Sequence, residues 1–193
     1  MQELCIFDFD GTLTRKDTFV EFSLFVFGKR KTYSTLILFS PLLIGMKFHI
    51  INNGWLKQKI FSFLYRGMPY QLFKEKGQLF ANQISTFENK YVISKLKEIQ
   101  SNKTTIIVIS ASIYEWVEPW CKKNNIDIII CTNVEVKNNL LTGRFSTPNC
   151  YGPEKLVRLI KEIGNIKKYH ITVYGDSNGD RELFNNANYT VKI

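Results

Sequence analysis

The sequence predicts an α/β fold in which a mainly parallel sheet forms the core and an all-helical cap is inserted into it. Near-continuous runs of β-branched residues indicate strands that are buried on both faces, as in a parallel sheet. Helical stretches alternate with these runs, which is typical of an open α/β sheet. The chain has 193 residues, enough for one such core with a substantial insertion. We therefore expect a Rossmann-like core that carries a helical cap.

The strands and helices of the predicted core follow one another in regular order. The predicted strands are residues 4–9, 105–110, 126–131 and 170–174. The predicted helices between them are residues 82–100, 112–124 and 153–163. Ser112 is expected to cap the second of these helices, because serine is favoured at helix starts. Residues 134–136 and 140–145 flank Asn138 and Asn139, which predicts a small antiparallel hairpin.

The segment between the first strand and residue 82 has helical composition and contains no strand candidate. It is too long for a simple crossover connection. We therefore predict a helical cap of residues 16–82, inserted in a core made of residues 1–15 and 83–193. Thr18, with Glu21 three residues later, forms a capping-box pattern that predicts the start of the first cap helix.

The predicted cap contains the most apolar stretch of the chain, residues 33–46. A membrane-spanning helix needs about 20 apolar residues, whereas Pro41 breaks this run and Lys47 follows its end. Three interpretations stay open. The stretch spans a membrane, lies in the membrane surface, or forms a cap helix that is buried or faces the substrate.

The formal charge is +9, from 26 lysines and arginines against 17 acidic residues. A positive surface attracts anions such as phosphate esters, nucleic acids and acidic lipid headgroups. The basic residues lie in small scattered groups without a nucleic-acid-binding motif. The pattern favours a solvated basic surface, and we expect no nucleic-acid partner.

The four cysteines, Cys5, Cys121, Cys131 and Cys150, are far apart and form no C-x-x-C pair. We interpret them as reduced thiols, which favours a cytoplasmic location. The first apolar run ends in an acidic stretch, so we expect no secretory signal. Membrane association through residues 33–46 is the alternative location.

Two aspartates follow the first predicted strand, within the stretch FDFDGTLT of residues 7–14. Ligands of open α/β sheets bind outside the carboxyl ends of the strands. Ionised carboxylates that are held close together repel each other unless a cation binds or one takes a proton. Asp8 and Asp10 are therefore candidate catalytic residues, one attacking the substrate and the other handling protons.

Two further motifs indicate phosphate binding. Ser110 ends the second predicted strand, where its hydroxyl can donate to a phosphoryl oxygen, and the N–H groups from Ala111 onward favour an anion. Lys155 lies in the first turn of a predicted helix, where the helix dipole prefers acidic residues. A lysine placed against this preference suggests that it neutralises a bound phosphate; a solvated surface lysine is the alternative.

Asp176 and Asp180 follow the last predicted strand, in the stretch GDSNGD of residues 175–180. Two acids four residues apart, across a turn of small residues, suit a magnesium site with oxygen ligands. The alternative is an Asx-rich turn with a helix cap. Because this strand belongs to the same predicted sheet as the strand before Asp8, the metal site is favoured.

In this order, the stretches DFDGTLT, VISAS, YGPEK and GDSNGD resemble the haloacid dehalogenase superfamily of phosphohydrolases, in its phosphoserine-phosphatase-like branch with a helical cap. The resemblance covers essentially the whole chain. It implies that Asp8 is the nucleophile and Asp10 the general acid and then base. The implied phosphate-binding residues are Thr12, Ser110, Ala111 and Lys155. The implied Mg²⁺ ligands are Asp8, the backbone carbonyl of Asp10 and Asp176, with Asp180 supporting the metal shell.

The substrate is less well defined by the resemblance. Phosphoserine phosphatases carry an acidic residue after the first motif that binds the substrate amine. Asp17 lies near the corresponding position, although an acidic residue there also suits a helix N-terminus. Arg66 is the best candidate for the cap arginine that binds the substrate carboxylate in that family. The apolar cap is similar to a segment of bacterial phosphatidylglycerophosphate phosphatases of this superfamily. Core packing between the cap helices is the competing interpretation.

The sequence therefore predicts a Mg²⁺-dependent phosphomonoester hydrolase that forms an aspartyl-phosphate on Asp8. Its expected partner is a small phosphate ester, such as a phosphoserine-like metabolite. The alternative is a phospholipid headgroup at a membrane surface, contacted through the apolar cap. A non-catalytic phosphate-binding module is a third hypothesis, which the intact set of acidic residues disfavours. The oligomeric state stays open.

Overall fold

The computed structural model describes residues 2–48, 50–102 and 104–193. The strands are β1 (Gln2–Phe7), β2 (Thr105–Ile113), β3 (Ile128–Thr132), β4 (Val134–Lys137), β5 (Leu140–Phe145), β6 (Tyr169–Gly175) and β7 (Tyr189–Lys192). The first α-helices are α1 (Thr18–Leu38), α2 (Ser40–Lys47), α3 (Asn53–Tyr65) and α4 (Tyr70–Ile84). The later ones are α5 (Lys90–Ser101), α6 (Tyr114–Lys123), α7 (Pro153–Ile163) and α8 (Arg181–Phe184).

One parallel sheet has the strand order β3-β2-β1-β6-β7. β1 lies at its centre, and residues 4–7 of this strand are buried, because helices cover both faces of such a sheet. The carboxyl end of β1 therefore lies between the carboxyl ends of β2 and β6. The predicted α/β fold with a mainly parallel sheet is confirmed.

The sheet differs from the prediction in two places. The prediction lacks β7, because this edge strand has only four residues, most of them exposed. β2 continues to Ile113, which pairs with Thr132 of β3 across a register irregularity. The prediction that Ser112 caps α6 is therefore wrong. Ser112 lies in the strand, and Ile113 occupies the N-cap position.

The predicted helix of residues 82–100 is in fact divided between two helices. α4 ends at Ile84, a short 3₁₀ turn follows at Ser85–Phe87, and α5 begins at Lys90. The division has a physical cause, because the connecting segment pairs with the loop after β1. The Arg15 N–H donates to the Phe87 carbonyl, and the Asn89 N–H donates to the Leu13 carbonyl.

Helices α1 to α4 follow β1 without an intervening strand in the described residues. Phe22 of α1 packs against aromatic rings from three other helices, and its ring centroid lies 4.4 Å from that of Trp116. The remaining partners of Phe22 in this cluster include Tyr65, Phe73 and Phe80. This aromatic cluster fixes α1, α3 and α4 on α6, which itself packs on the sheet.

The start of α1 differs from the prediction. Asp17, and not Thr18, is the N-cap residue, and its Oδ1 accepts a hydrogen bond from the Val20 N–H at 3.0 Å. Helical geometry is interrupted at Gly28, where φ is 74° and ψ is 171°. The apolar stretch 33–46 is divided at Phe39 between the end of α1 and α2. Within the described ranges, no helix is long and apolar enough to cross a membrane.

The predicted hairpin is confirmed as β4 and β5, with Asn138 and Asn139 at positive φ in the turn. α3 is attached to this hairpin, because the Phe145 N–H donates to Gln58 Oε1 at 2.9 Å. The hairpin also pairs with the loop after α3, where the Gly67 N–H donates to the Leu141 carbonyl. α3 is thereby fixed on the core by backbone and side-chain hydrogen bonds.

Candidate active site

A cavity of about 290 Å³ lies between the carboxyl end of the sheet and helices α1, α2 and α3. The predicted site residues among its lining are Asp8, Asp10, Asp17, Ser110, Ala111, Lys155 and Asp176. They come from distant parts of the sequence and meet because β1, β2 and β6 are neighbours whose carboxyl ends share one edge.

Lys155 lies at the centre of a buried charge cluster. Its Nζ donates to Asp8 Oδ1 and to Asp180 Oδ1, each at 2.6 Å. The lysine side chain is 2% exposed and Asp180 is fully buried. Burial lowers the pKa of Lys155, but the two carboxylates raise it by more, so the ammonium stays protonated. The alternative interpretation of a solvated surface lysine is therefore wrong.

Asp8 has an unusual protonation equilibrium. Burial raises its pKa to about 7, the Lys155 ammonium opposes this shift, and the charge of Asp180 adds to it. One ammonium group thus faces two buried carboxylates, which leaves an excess of negative charge. A further cation beside Asp8 would stabilise its ionised form.

Three carboxylates could hold such a cation. Asp8, Asp176 and Asp180 each offer an oxygen, and these oxygens lie within 4.8 Å of one another. Burial and the charge of Asp180 raise the pKa of Asp176. Gly11, at φ 83°, lets the loop after β1 approach this group, because a Cβ at this position would collide with the Asp176 carboxylate. The Asp10 carboxylate is not in the group.

Two hydrogen bonds hold the Asp10 carboxylate. Its Oδ1 accepts from the Thr18 N–H at 3.0 Å, and its Oδ2 accepts from the Ser112 hydroxyl. Burial raises the pKa of Asp10 to about 6; the charge of Asp17 adds to the shift and Lys57 opposes it. A carboxyl group with a pKa closer to neutrality is suited to proton transfer.

A buried chain of hydrogen bonds positions Asp10, and sequence reasoning missed it. The Trp116 indole N–H donates to Thr18 Oγ1 at 3.1 Å, and Thr18 Oγ1 lies 2.8 Å from Ser112 Oγ. Ser112 in turn donates to Asp10. Thr18 and Ser112 resemble helix caps in the sequence, and their real role depends on α1 and α6 meeting at the end of β2.

Of the predicted phosphate-binding residues, Ser110, Ala111 and Lys155 line the cavity together with Asp8, whereas Thr12 lies outside its lining. Thr12 is fully buried, and its hydroxyl has no hydrogen-bond partner in the part of the chain that the structure describes. Ser110 Oγ accepts from the Ser112 N–H at 3.0 Å, which leaves the Ser110 hydroxyl proton for another acceptor. A buried donor without a partner costs free energy, so an anion beside Thr12 would be stabilising.

Lys57 of α3 lines the cavity, and Arg66 does not. Lys57 Nζ donates to the Ala111 carbonyl at 3.0 Å, whereas Arg66 is exposed at the C-terminal end of α3. Helical periodicity could have identified Lys57, because Asn53, Leu56, Lys57 and Ile60 share one face of α3 and all line the cavity. Asp17, besides capping α1, also lines it.

The side of the cavity away from the sheet is apolar. Its apolar lining residues are Phe19, Val20, Leu36, Leu43, Met46, Leu56 and Ile60. They come from α1, α2 and α3, so the three helices together present a hydrocarbon surface to whatever lies beside Asp8. The cavity therefore combines a charged end with an apolar end.

Comparison with protein families gives one match that spans most of the chain. The model of the family described as haloacid dehalogenase-like hydrolase matches residues 5–185. This range includes every predicted site residue from Asp8 to Asp180.

Individual proteins resemble the chain along most of its length. The protein CicA of Caulobacter vibrioides (strain NA1000 / CB15N) is 27% identical over 182 residues, which cover 93% of this chain and 81% of CicA. The phosphoserine phosphatase of Campylobacter jejuni subsp. doylei is 24% identical over 189 residues, covering 97% of this chain and 84% of that enzyme. A Bordetella pertussis Tohama I protein of unknown function has a similar solved structure, with a TM-score of 0.81 at 16% identity, covering 100% of this chain and 90% of the other.

Proposed function

Because the chain belongs to the haloacid dehalogenase-like hydrolase family, we propose that this phosphatase hydrolyses phosphate monoesters with Mg²⁺ through a transient phosphoryl group on Asp8. One observation carries the proposal. A buried lysine and the carboxylates of Asp176 and Asp180 converge on Asp8 at the carboxyl end of the parallel sheet. We further propose that residues 16–82 form the cap and that residues 1–15 and 83–193 form the catalytic core.

In the first step, an Asp8 carboxylate oxygen attacks phosphorus. An O–P bond to Asp8 forms while the O–P bond to the ester oxygen breaks, and that oxygen takes a proton from Asp10. The Lys155 ammonium offsets negative charge on the phosphoryl oxygens. The hydroxyls of Thr12 and Ser110 donate hydrogen bonds to those oxygens, which gives the unpartnered Thr12 hydroxyl an acceptor.

In the second step, Asp10 accepts a proton from a water molecule as the water oxygen attacks phosphorus. The O–P bond to Asp8 breaks, which restores the Asp8 carboxylate and releases phosphate. The raised pKa of Asp10, to about 6, supports both of its roles, since proton transfer is most effective when the pKa lies near the working pH. Ser112 and Thr18 keep the Asp10 carboxyl oriented through both steps.

The residues fit a magnesium ion. Asp8, Asp176 and Asp180 provide oxygen ligands of the kind that Mg²⁺ prefers, and Asp10 would contribute its backbone carbonyl. Asp180 is also bonded to Lys155 and accepts from the Asp176 and Ser177 N–H groups at 3.3 Å, which supports a role in orienting the site. A bound Mg²⁺ would neutralise charge on Asp8 and on the phosphoryl oxygens.

The test is hydrolysis of p-nitrophenyl phosphate over a range of Mg²⁺ concentrations. The parent should lose turnover on addition of a chelator and recover it with excess Mg²⁺. In Asp176→Asn, the half-saturating Mg²⁺ concentration should rise at least about tenfold, because one ligand charge is lost. Asp17→Asn is the matched control, since Asp17 lines the same cavity outside the acidic group. Turnover that survives chelation, or an unchanged Mg²⁺ requirement in Asp176→Asn, would contradict the proposal.

The first candidate substrate is a small phosphorylated metabolite of the phosphoserine type. Asp17 and Lys57 line the cavity with opposite charges, and such a pair can bind an amine and a carboxylate on one small molecule. The Campylobacter relative is a phosphoserine phosphatase. A cytoplasmic location suits this substrate and agrees with four cysteines that are free and buried.

The second candidate is a phospholipid headgroup phosphate. The apolar lining from α1, α2 and α3 favours it, because a phosphoserine-like molecule has no hydrocarbon chain to place against Leu36, Leu43 and Met46. Burial of each methylene contributes about 0.8 kcal/mol. An acyl chain that enters the apolar end of the cavity would therefore raise the affinity considerably.

Three phosphate esters distinguish the two candidates. Glycerol 3-phosphate and its monoacylated form share a headgroup and differ in the acyl chain, and O-phosphoserine is the third. A lipid substrate predicts that acylation raises kcat/KM at least about 100-fold, as expected from a few buried methylenes. Leu43→Asn should lower only the activity on the acylated ester. A phosphoserine-type substrate predicts the highest kcat/KM for O-phosphoserine and no gain from acylation.

A further inference from the structure

The second half of α1, helix α2 and the residues just after α2 expose large apolar side chains to solvent. The most exposed are Ile37 (72%), Leu38 (63%), Ile44 (58%), Phe48 (70%) and Ile50 (81%). We call this set, together with Tyr33, the apolar face. Adjacent large exposed apolar residues of this kind mark an interaction surface more often than an ordinary solvated one.

α2 has two distinct sides, of which one packs partly against the protein core through Leu42, Leu43 and Met46. No residue of α2 is buried. Leu43 and Met46 line the cavity, while Ile44 and Phe48, four residues apart, project on the exposed side. The helix is therefore apolar on both sides, and only the inner side is covered by the rest of the chain.

Most of the chain's net positive charge lies in the sequence segment that contains the apolar face. Residues 22–74 contain eight lysines and arginines and no aspartate or glutamate. This segment therefore carries +8, and the rest of the chain, with 18 basic and 17 acidic residues, carries +1. Lys29, Arg30 and Lys31 precede the apolar face, directly after the break at Gly28, and all three are exposed. Lys47, which lies between Ile44 and Phe48 in the sequence, is also exposed.

We propose that the apolar face docks on an anionic lipid bilayer, with the surrounding lysines and arginines bound to lipid phosphates. An apolar strip flanked by basic residues is the arrangement that binds such a surface, through hydrocarbon burial and attraction to anionic headgroups. An acidic protein partner would also complement the positive charge of this segment. Residues 22–74 contain no acidic residue, however, so basic groups on the surface of a protein partner would find no counter-charge here.

Docking would bring the cavity to the lipid. Leu36, Leu43 and Met46 lie on the same two helices as the apolar face and line the apolar end of the cavity. A phosphate ester embedded in the bilayer could therefore reach Asp8 along these side chains. This part of the inference rests on the proposed function, whereas the docking itself does not.

Co-sedimentation with lipid vesicles tests the docking without using enzyme activity. The full chain should sediment with phosphatidylglycerol–phosphatidylcholine vesicles at 0.1 M salt and much less with pure phosphatidylcholine vesicles. High salt should weaken the binding, because the screening length falls from about 10 Å at 0.1 M to about 3 Å at 1 M. Fluorescence gives a second readout, since Trp55 is 46% exposed and the other two tryptophans are buried.

Two triple variants and their controls locate the surface. Replacing Lys29, Arg30 and Lys31 with glutamine should lower the partition coefficient on the order of 100-fold, at roughly fivefold per basic residue. Replacing Ile37, Ile44 and Phe48 with serine should lower it at least about tenfold. The control for the basic variant replaces Lys161, Lys167 and Lys168 with glutamine. The control for the apolar variant replaces Leu79, Val157 and Tyr189 with serine. All six residues are exposed and lie outside the apolar face.

The outcomes separate the docking from the phosphatase chemistry. Parent protein that does not sediment with anionic vesicles, or triple variants that sediment like the parent, would overturn the docking proposal. An equal loss of vesicle binding in the control variants would also overturn the docking proposal, because it would indicate non-specific hydrophobic or electrostatic binding. The apolar-face variants should keep the parent's turnover of p-nitrophenyl phosphate, so a failure of the proposed function is detected by a different assay.

Discussion

Asp8→Asn should lower phosphatase turnover on the order of 10⁴-fold, as is typical when a nucleophile is removed. The asparagine keeps the shape of the side chain but has no carboxylate oxygen to attack phosphorus. Its fold should persist, since Lys155 retains its ion pair with Asp180. Burial disfavours ionised Asp8, so removing this charge costs little stability. Steady-state hydrolysis of p-nitrophenyl phosphate and a thermal unfolding curve measure both effects.

Trapping of the phosphoenzyme separates a nucleophile from a residue that only binds substrate. Parent protein mixed with labelled substrate and quenched in acid should carry acid-stable phosphate on the peptide that contains Asp8, and Asp8→Asn should carry none. Asp17→Asn is again the control and should be labelled, because Asp17 takes no part in phosphoryl transfer in this mechanism. Labelling that persists in Asp8→Asn would place the phosphoryl group elsewhere and exclude the mechanism.

Lys155→Met should destabilise the metal-free protein by about 3–5 kcal/mol, the usual cost of removing one partner from a buried ion pair. The substitution leaves Asp8 and Asp180 buried and facing each other without a positive charge. Burial already raises the pKa of Asp8, and the variant lacks the ammonium that opposes this shift, so the folded protein binds more protons than the unfolded one. Stability should therefore fall as the pH rises from about 5 to 8. Urea unfolding at several pH values measures this loss.

Magnesium should restore part of the stability of Lys155→Met, because the cation supplies positive charge to the same carboxylates. Lys161→Met is the matched control, since Lys161 lies on the same helix and is exposed; it should unfold like the parent. If Lys155→Met has the parent's stability at every pH, the charge cluster around Asp8 does not have the electrostatics described above.

The charged end of the cavity could be predicted from sequence because its residues stand at the ends of strands. Each of Asp8, Ser110 and Asp176 follows or ends an apolar run, and parallel pairing brings such ends to one edge without further information. Lys155 was predicted from its unfavourable place in the first turn of a helix. The structure accounts for that place, because the ammonium is bonded to two buried carboxylates.

The other end of the cavity depends on how helices pack on one another, which local patterns do not determine. Arg66 and Lys57 lie nine residues apart on α3 or at its end, and only the rotation of α3 on the core decides which one faces the cavity. The same holds for Ser112, whose hydroxyl reaches Asp10 because β2 continues past its predicted end. β7 could not be predicted, since four exposed edge residues carry little hydrophobic signal.

The attachment of α3 has a consequence for how this enzyme's specificity could change over evolution. α3 is hydrogen-bonded to the core through Gln58 and Lys57, whereas among the described residues no hydrogen bond joins residues 29–51 to the sheet. Substitutions at Leu36, Leu43 or Met46 can therefore reshape the space for the leaving group without moving Asp8 or Asp10. One set of charged residues at the sheet could in this way serve a succession of different phosphate esters, each selected by a few changes in a segment that packs on the core without a described hydrogen bond to the sheet.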